Sequence, residues 1–250
     1  MSSRSVEVAA SFKLEDFVLT DTARQYWVDT GLSDAFSAGY APFDESGSPA
    51  ELGEALAADI KDLTRLHWTI VASRSRTVLE LGSGFSSAVG SHALHSLDQA
   101  GFFEDSLGVS RFVRPGCYYS LEQNFRYLWS TRRLTAPALR ERLLLRKQDA
   151  IFRRLGVTLV SEYRRLPDDN FDFIYVDGPA PGATRRGVRG IAGAKGKRKP
   201  IASEPLLLEP YLDPGAIVLF DGRRANALFM KHNASRYWKE TYSSEGDFTL

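Results

Sequence analysis

The run Thr77-Val78-Leu79-Glu80-Leu81-Gly82-Ser83-Gly84-Phe85-Ser86-Ser87 constrains this chain more than any other stretch. Its aliphatic, β-branched start reads as a buried strand. Two glycines one residue apart then allow a sharp turn and the close approach of a ligand to the backbone. The small residues that follow, continuing to Leu94, read as a helix whose first free N–H groups point at whatever binds there. Glu80 brings a carboxylate toward the strand tip, where it can grip an amine or a hydroxyl.

The remaining sequence repeats the alternation of strand and helix. Residues 15–30 and 50–72 read as helices. The second has Ser48 as N-cap, Pro49 at the first position, and apolar residues Leu52, Leu56, Ile60, Leu63, Leu66 and Ile70 at three- and four-residue steps. After the strand Thr77–Leu81 come a helix over 86–100, a strand over 117–121 ending at Glu122, and an Arg/Leu-rich helical region over 124–155. A third strand spans 157–160 and ends at Ser161-Glu162. A fourth spans 171–176 and ends at Asp177. A helix over 204–212, a turn at Asp213-Pro214-Gly215 and a fifth strand, 216–220, lead to Asp221. A helix over 225–233 and strands near 237–242 and 247–250 close the chain. This order predicts an α/β fold, a Rossmann-like, doubly wound and mostly parallel sheet. Ligands of such sheets bind beyond the carboxyl ends of the strands. Glu80, Glu122, Asp177 and Asp221 all lie at or next to such ends.

Several classes of function are disfavoured. No apolar run is long enough to span a membrane, and the N-terminus lacks the apolar core of a signal peptide. Cys117 is the only cysteine, so a disulfide framework or a Cys-rich zinc site is not expected, and the setting expected is cytoplasmic. The turn has no lysine and no Walker spacing, which excludes a P-loop. Ser87 stands where a dinucleotide fingerprint needs its third glycine, and Glu122 lies too far downstream for it. A carboxylate just before the glycines would also repel a pyrophosphate.

Net charge is only +1, yet residues 1–62 carry twelve acids and four bases while residues 126–199 carry eighteen bases and seven acids. The stretch 178–200 has seven bases, no acids and few apolar side chains, so it reads as a flexible basic loop placed directly after Asp177. It is expected to act as a lid over an anionic acceptor. The competing readings are a nucleic-acid clamp, against which the lack of stacking aromatics counts, and a solvated insertion.

Taken together, Val78-Leu79-Glu80-Leu81-Gly82-Ser83-Gly84, Tyr119-Ser120-Leu121-Glu122, the stretch from Phe171 to Asp177-Gly178-Pro179, and Leu212-Asp213-Pro214-Gly215 through Asp221 resemble the successive motifs of class I S-adenosylmethionine-dependent methyltransferases. The acid excess and helical spacing predict an acidic helical extension over 1–62, and the resemblance implies a cofactor-binding domain over 63–250. It implies that Glu80 with the backbone of Gly82, Ser83 and Gly84 holds the amino-acid end of S-adenosyl-L-methionine, with Phe85 and Ser86 also in the cofactor site. Glu122 would take the ribose, Gln123 would contact the cofactor as well, Ser161 and Glu162 would lie near the adenine, and Asp177 would sit where cofactor and acceptor meet. Phe85 or Tyr163 would pack on the base or belong to the core.

The reaction expected is methyl transfer to oxygen of a small polar, sugar-like or anionic molecule. Asp177 and Asp221 are the expected general bases, or ligands of a Mg²⁺ ion, with His232 in reserve as a base. Gly222 stands where the metal-dependent branch of the family has Asn, which removes one metal ligand. A nucleic-acid methyltransferase using the basic loop and a non-catalytic cofactor-binding interaction module are the alternatives. His92 and His95, three apart on a helix, could ligate a metal together but lack a recognisable third ligand and read as surface or packing residues; His67 beside Trp68 reads as structural. The oligomeric state is left open.

Overall fold

The computed structural model describes residues 4–43, 59–103, 116–179, 201–242 and 248–249. The elements run α1 (Arg4–Ala10), α2 (Thr20–Thr30), α3 (Ile60–Ser73), β1 (Thr77–Leu81), α4 (Phe85–Gln99), β2 (Cys117–Glu122), α5 (Phe125–Leu134), β3 (Leu143–Lys147), β4 (Ala150–Leu155), β5 (Thr158–Tyr163), β6 (Phe173–Val176), α6 (Glu204–Leu208), β7 (Ile217–Phe220), α7 (Arg224–Asn233), β8 (Thr241–Tyr242) and β9 (Phe248–Thr249). The chain divides into two compact units. Unit 1 holds residues 1–78, 84–118 and 129–144. Unit 2 holds residues 79–83, 119–128 and 145–250. The carboxyl ends of β1, β2 and β3 therefore fall in unit 2.

The strands order as β3-β2-β1-β6-β7-β9-β8. Parallel pairing shows in the matched ends: Cys117 N–H donates to Arg76 O and Gly82 N–H to Leu121 O, while Tyr118 N–H donates to Arg142 O and Gln148 N–H to Glu122 O. β6 and β7 are parallel, and β9 is antiparallel to β7. The result is a mostly parallel α/β sheet with flanking helices. Successive strands step one way from β1 to β3, and the chain then returns to the other side of β1 with β6. Strand order reverses between β1 and β6, the place where such sheets open a crevice.

Unit 1 is built on helices. Asp59 caps α3, its carboxylate accepting from Lys61 N–H at 2.8 Å. The helix expected over 50–72 therefore starts at Ile60 in its described part; Ser48, Pro49, Leu52 and Leu56 lie outside the described residues. Leu63, Leu66 and Ile70 are buried, as their spacing requires. Gly31, in the left-handed region at φ 66°, ends α2 by donating to Trp27 O and Val28 O. Ala23, Trp27, Leu32, Phe36, Ile60, Leu63, Ala88, Val89 and Leu134 form one apolar cluster. A buried polar chain runs beside it. The Tyr26 hydroxyl meets His67 Nδ1 at 2.9 Å, and His67 Nε2 meets His92 Nδ1 at 3.0 Å.

The middle of the chain departs from the sequence reading. No single helix covers 124–155. α5 stops at Leu134, a 3-10 turn follows at Pro137–Leu139, and β3 and β4 come next. Pro137 has no N–H to continue a helix and disfavours helical backbone before it. β5 is likewise not the third parallel strand. It pairs antiparallel with β4, Ala150 opposite Tyr163, as a two-stranded hairpin. The third parallel strand is β3, so the residues past its tip are Gln148 and Asp149 rather than Ser161 and Glu162. Residues 180–200, nearly all of the basic stretch, lie outside the described residues.

Candidate active site

The carboxyl ends of the parallel strands in unit 2 gather most of the expected acids. At the tip of β1, Gly82 has φ 130°, a conformation side chains resist. Ser120 Oγ donates to Gly82 O at 2.7 Å and fixes the turn from β2. Asp177 N–H donates to Leu81 O at 3.1 Å, joining the end of β6 to the same turn. Gly178 comes so close that a Cβ there would sit 2.6 Å from Leu81 O and 2.9 Å from the Gly82 backbone. Two glycines thus let two strand tips meet without side chains between them.

Glu122 ends β2 and is buried. Its carboxylate accepts from Asn124 N–H at 2.7 Å and, weakly, from Ser83 Oγ at 3.4 Å. Burial pushes its pKa up, the Asp177 charge adds to this, and the hydrogen bonds from Asn124, Gln123 and Ser83 resist it. The next residue, Gln123, has a buried Oε1 with no hydrogen-bond partner. Two residues with side-chain acceptors therefore follow one another at this tip, and Gln123 Oε1 is the unpartnered one.

Asp177 and Asp221 follow β6 and β7, which are neighbours in the sheet. Their carboxyl groups hydrogen-bond to one another. Arg223 donates to Asp177 O and, at 3.5 Å, to Pro179 O, and its guanidinium lies 4.0 Å from Asp177 Oδ1. Burial raises the Asp177 pKa, while Arg223 and the Asp221 hydrogen bond pull it back. Gly222 supplies no side-chain oxygen beside these two carboxyl groups, and the Arg223 guanidinium shares the surroundings of Asp177. Among the described residues, no group of three or more His, Cys, Asp or Glu side chains is placed to hold a metal ion.

The other expected residues divide. Glu80 is fully buried within β1. Ser161 and Glu162 are buried in the hairpin, where Glu162 pairs with Arg153 Nε at 2.6 Å and Ser161 N–H donates to Ile201 O at 2.8 Å. Gly84, Phe85 and Ser86 belong to unit 1, where the Phe85 ring packs edge-on against Phe36 at 6.0 Å. His232 is exposed in the last turn of α7. That helix starts beside Asp221 and rises about 1.5 Å per residue, so His232 stands more than two turns away from the paired aspartates.

Sequence reading missed Glu204. It is fully buried in unit 2, and its Oε1 accepts from Tyr163 N–H at 2.6 Å. Burial raises its pKa to about 7, with Glu162 adding to the effect and backbone N–H groups opposing it. Only the expected helix over 204–212 touched this position, and nothing in the local pattern separates this glutamate from an exposed one.

No protein-family profile matches the chain, and no curated protein matches it in sequence. Solved structures to which it is similar include the SAH-bound methyltransferase PaMTH1 of Podospora anserina, at 16% identity and a TM-score of 0.37. That match covers 73% of this chain and 61% of the Podospora chain. An O-methyltransferase of Bacillus cereus in complex with SAH matches at 14% identity and a TM-score of 0.42, covering 79% and 82% of the two chains. The O-methyltransferase TomG of Streptomyces achromogenes, in complex with SAM, matches at 17% and 0.43, covering 78% and 81%. These overlaps are partial, and the fold reading rests on the strand order. Among the described residues no helix is long and apolar enough to cross a membrane.

Proposed function

We propose that this chain transfers a methyl group from S-adenosylmethionine to an oxygen of a small polar molecule. One observation carries the reading: at the tip of β2, whose neighbour β1 ends in the Gly82 turn, stands the buried Glu122 carboxylate, followed in the chain by Gln123 with an unpartnered Oε1. A ribose diol offers the two donors that would satisfy them, and hydrogen bonds to a carboxylate are among the stronger ones. The side-chain-free backbone at Gly82 and Gly178 supports the same reading, because a Cβ there would obstruct the strand tips.

When bound, the cofactor supplies a methyl group on a positively charged sulfur. Glu122 and Gln123 would orient the ribose, and Gly82 and Ser83 would give it a close backbone surface. Asp177 would accept the proton of the acceptor's hydroxyl at its carboxylate, a task helped by the upward shift that burial gives its pKa. Asp221 would hold the Asp177 carboxyl in place through their hydrogen bond. Arg223 would pin the Asp177–Pro179 backbone through its carbonyl contacts. The acceptor class, a hydroxylated sugar-like or anionic molecule, follows from the family resemblance and from the basic sequence after Asp177.

Calorimetric titration with S-adenosylhomocysteine tests the cofactor. The intact chain should bind it, and Glu122→Ala should weaken binding by about 2–4 kcal/mol, roughly 30- to 1000-fold. A wild-type chain that binds neither S-adenosylmethionine nor its product would overturn the reading. For catalysis, transfer of labelled methyl to a panel of hydroxylated sugars and uronic acids should fall by about 100-fold or more in Asp177→Asn. Product affinity should stay nearly constant and chelator should leave the wild-type rate unchanged. Full activity in that variant would remove Asp177 from the mechanism.

A further inference from the structure

A cavity of about 600 Å³ lies within unit 1, walled by one face of α2 and by the segment from Ser33 to Phe43. Arg24, Trp27 and Val28 come from α2, three and four residues apart and so on one face. Phe36, Tyr40 and Phe43 add aromatic surface from the segment. The rings brace one another. Phe36 stacks on Trp27 with centroids 6.2 Å apart, Phe43 meets Trp27 edge-on at 5.2 Å, and Phe85 meets Phe36 edge-on at 6.0 Å. Trp27 Nε1 donates to Ser33 Oγ at 3.0 Å, so the polar edge of the indole is satisfied within the wall. The segment is also tied down. Ser37 N–H donates to Leu134 O at 2.7 Å, Ala136 N–H to Ala35 O at 2.9 Å, and Ser37 Oγ to Thr135 O at 2.9 Å.

Protein interiors leave few voids larger than a water molecule. A preformed cavity of this size, faced by Trp27, Phe36, Tyr40 and Phe43, falls in the range of roughly 300–1,000 Å³ that takes a small organic ligand. Aromatic walls favour a flat ring system, which stacks on them or meets them edge-on. Arg24 is the one charged side chain among the described residues of the lining. Its ion pair with Asp21 spans 3.6 Å and the Asp21 side chain is 95% exposed, so water screens that pairing. A guanidinium beside apolar rings suits a carboxylate, which it can grip through two parallel hydrogen bonds. We propose that the unit 1 cavity binds a fused-ring aromatic carboxylate, its rings against Trp27, Phe36 and Phe43 and its carboxylate on Arg24. The proposal does not rest on the adenosyl ligand of the preceding section.

The test titrates the full chain by calorimetry with 2-naphthoate and with its neutral amide, 2-naphthamide. Wild type should bind one equivalent of each, the carboxylate about fivefold or more tightly at low salt. Arg24→Gln should lower naphthoate affinity by about fivefold or more and leave naphthamide within about twofold. Val28→Trp should lower affinity for both by about tenfold or more, because the added indole fills the mouth. Val28 is 70% exposed, so the fold tolerates that change. Phe43→Ala should weaken both by about tenfold through lost ring contact; Val28→Trp decides the matter if Phe43→Ala does not fold by circular dichroism. No saturable binding of either compound to wild type, or affinities unmoved by Val28→Trp, would overturn the proposal. Equal affinity of wild type for the two compounds would overturn the carboxylate assignment to Arg24. S-adenosylhomocysteine titrated alongside reports on the cofactor reading separately.

Discussion

Lowering the pH from about 7.5 to 5 should loosen α3 and α4 by roughly 4 kcal/mol. The cause is the buried chain Tyr26–His67–His92, where burial disfavours the charged imidazolium. Burial holds the His67 pKa well below 6.5, with the His92 charge adding to it. Burial and the neighbouring His95 bring His92 down to about 4. In the unfolded chain both histidines protonate near 6.5. The unfolded state therefore takes up protons first on acidification. Stability is complete above about pH 7 and drains as the pH falls through 6.5 toward 4, at roughly 2 kcal/mol per histidine by pH 5. Unit 2 should respond in the opposite sense. Glu204 has its folded pKa raised to about 7 against 4.5 for the model carboxyl, so it costs stability above pH 7 and returns it as the pH falls toward 4.5. Hydrogen exchange followed by mass spectrometry, corrected for intrinsic rates, checks both. Peptides of α3 and α4 should lose protection at pH 5, those of β5 and α6 should gain it, and His92→Gln should remove about half of the loss. Undiminished protection in α3 and α4 would contradict the account of the histidine chain.

Gly178→Ala should cost about 2–3 kcal/mol and weaken S-adenosylhomocysteine binding by more than about tenfold. The added Cβ would meet Leu81 O at 2.6 Å and Gly82 backbone atoms at 2.9 Å, and those atoms belong to the turn itself and not to a flexible side chain. The tips of β1 and β6 would have to part, breaking the Asp177 N–H to Leu81 O bond. Gly156→Ala is the control. It sits at φ 58° in the β4–β5 hairpin with nothing within 4 Å of a new Cβ, so it should cost only about 1 kcal/mol and leave binding intact. Denaturant melts and calorimetry on the two variants read these effects. A Gly178→Ala protein as stable as wild type would mean that the tips have slack.

Strands whose apolar runs end in an acid were legible in the sequence. β1 spans the residues expected of it, and β2, β6 and β7 fall within a residue or two. Burial on both faces makes such strands nearly continuous in hydrophobicity. The stretch after Glu122 was not legible in the same way. Leucines and arginines over 124–155 fit helical spacing, and the run Leu143-Leu144-Leu145-Arg146-Lys147 has no alternation to mark it as a strand. Pro137 was the available signal. Missing it moved the third strand to the hairpin and its tip to Ser161-Glu162. Glu122, Asp177 and Asp221 needed only strand ends to be found. Glu204 needed a contact between residues 41 apart, which no periodicity encodes.

A crystal structure of the chain with S-adenosylhomocysteine tests the central claim most directly. The account predicts the ribose hydroxyls within hydrogen-bonding distance of Glu122 and the homocysteine sulfur on the side of Asp177, above the Gly82 turn. A ribose bound elsewhere on the chain, or saturating ligand with the carboxyl ends of β1, β2 and β6 left empty, would contradict it.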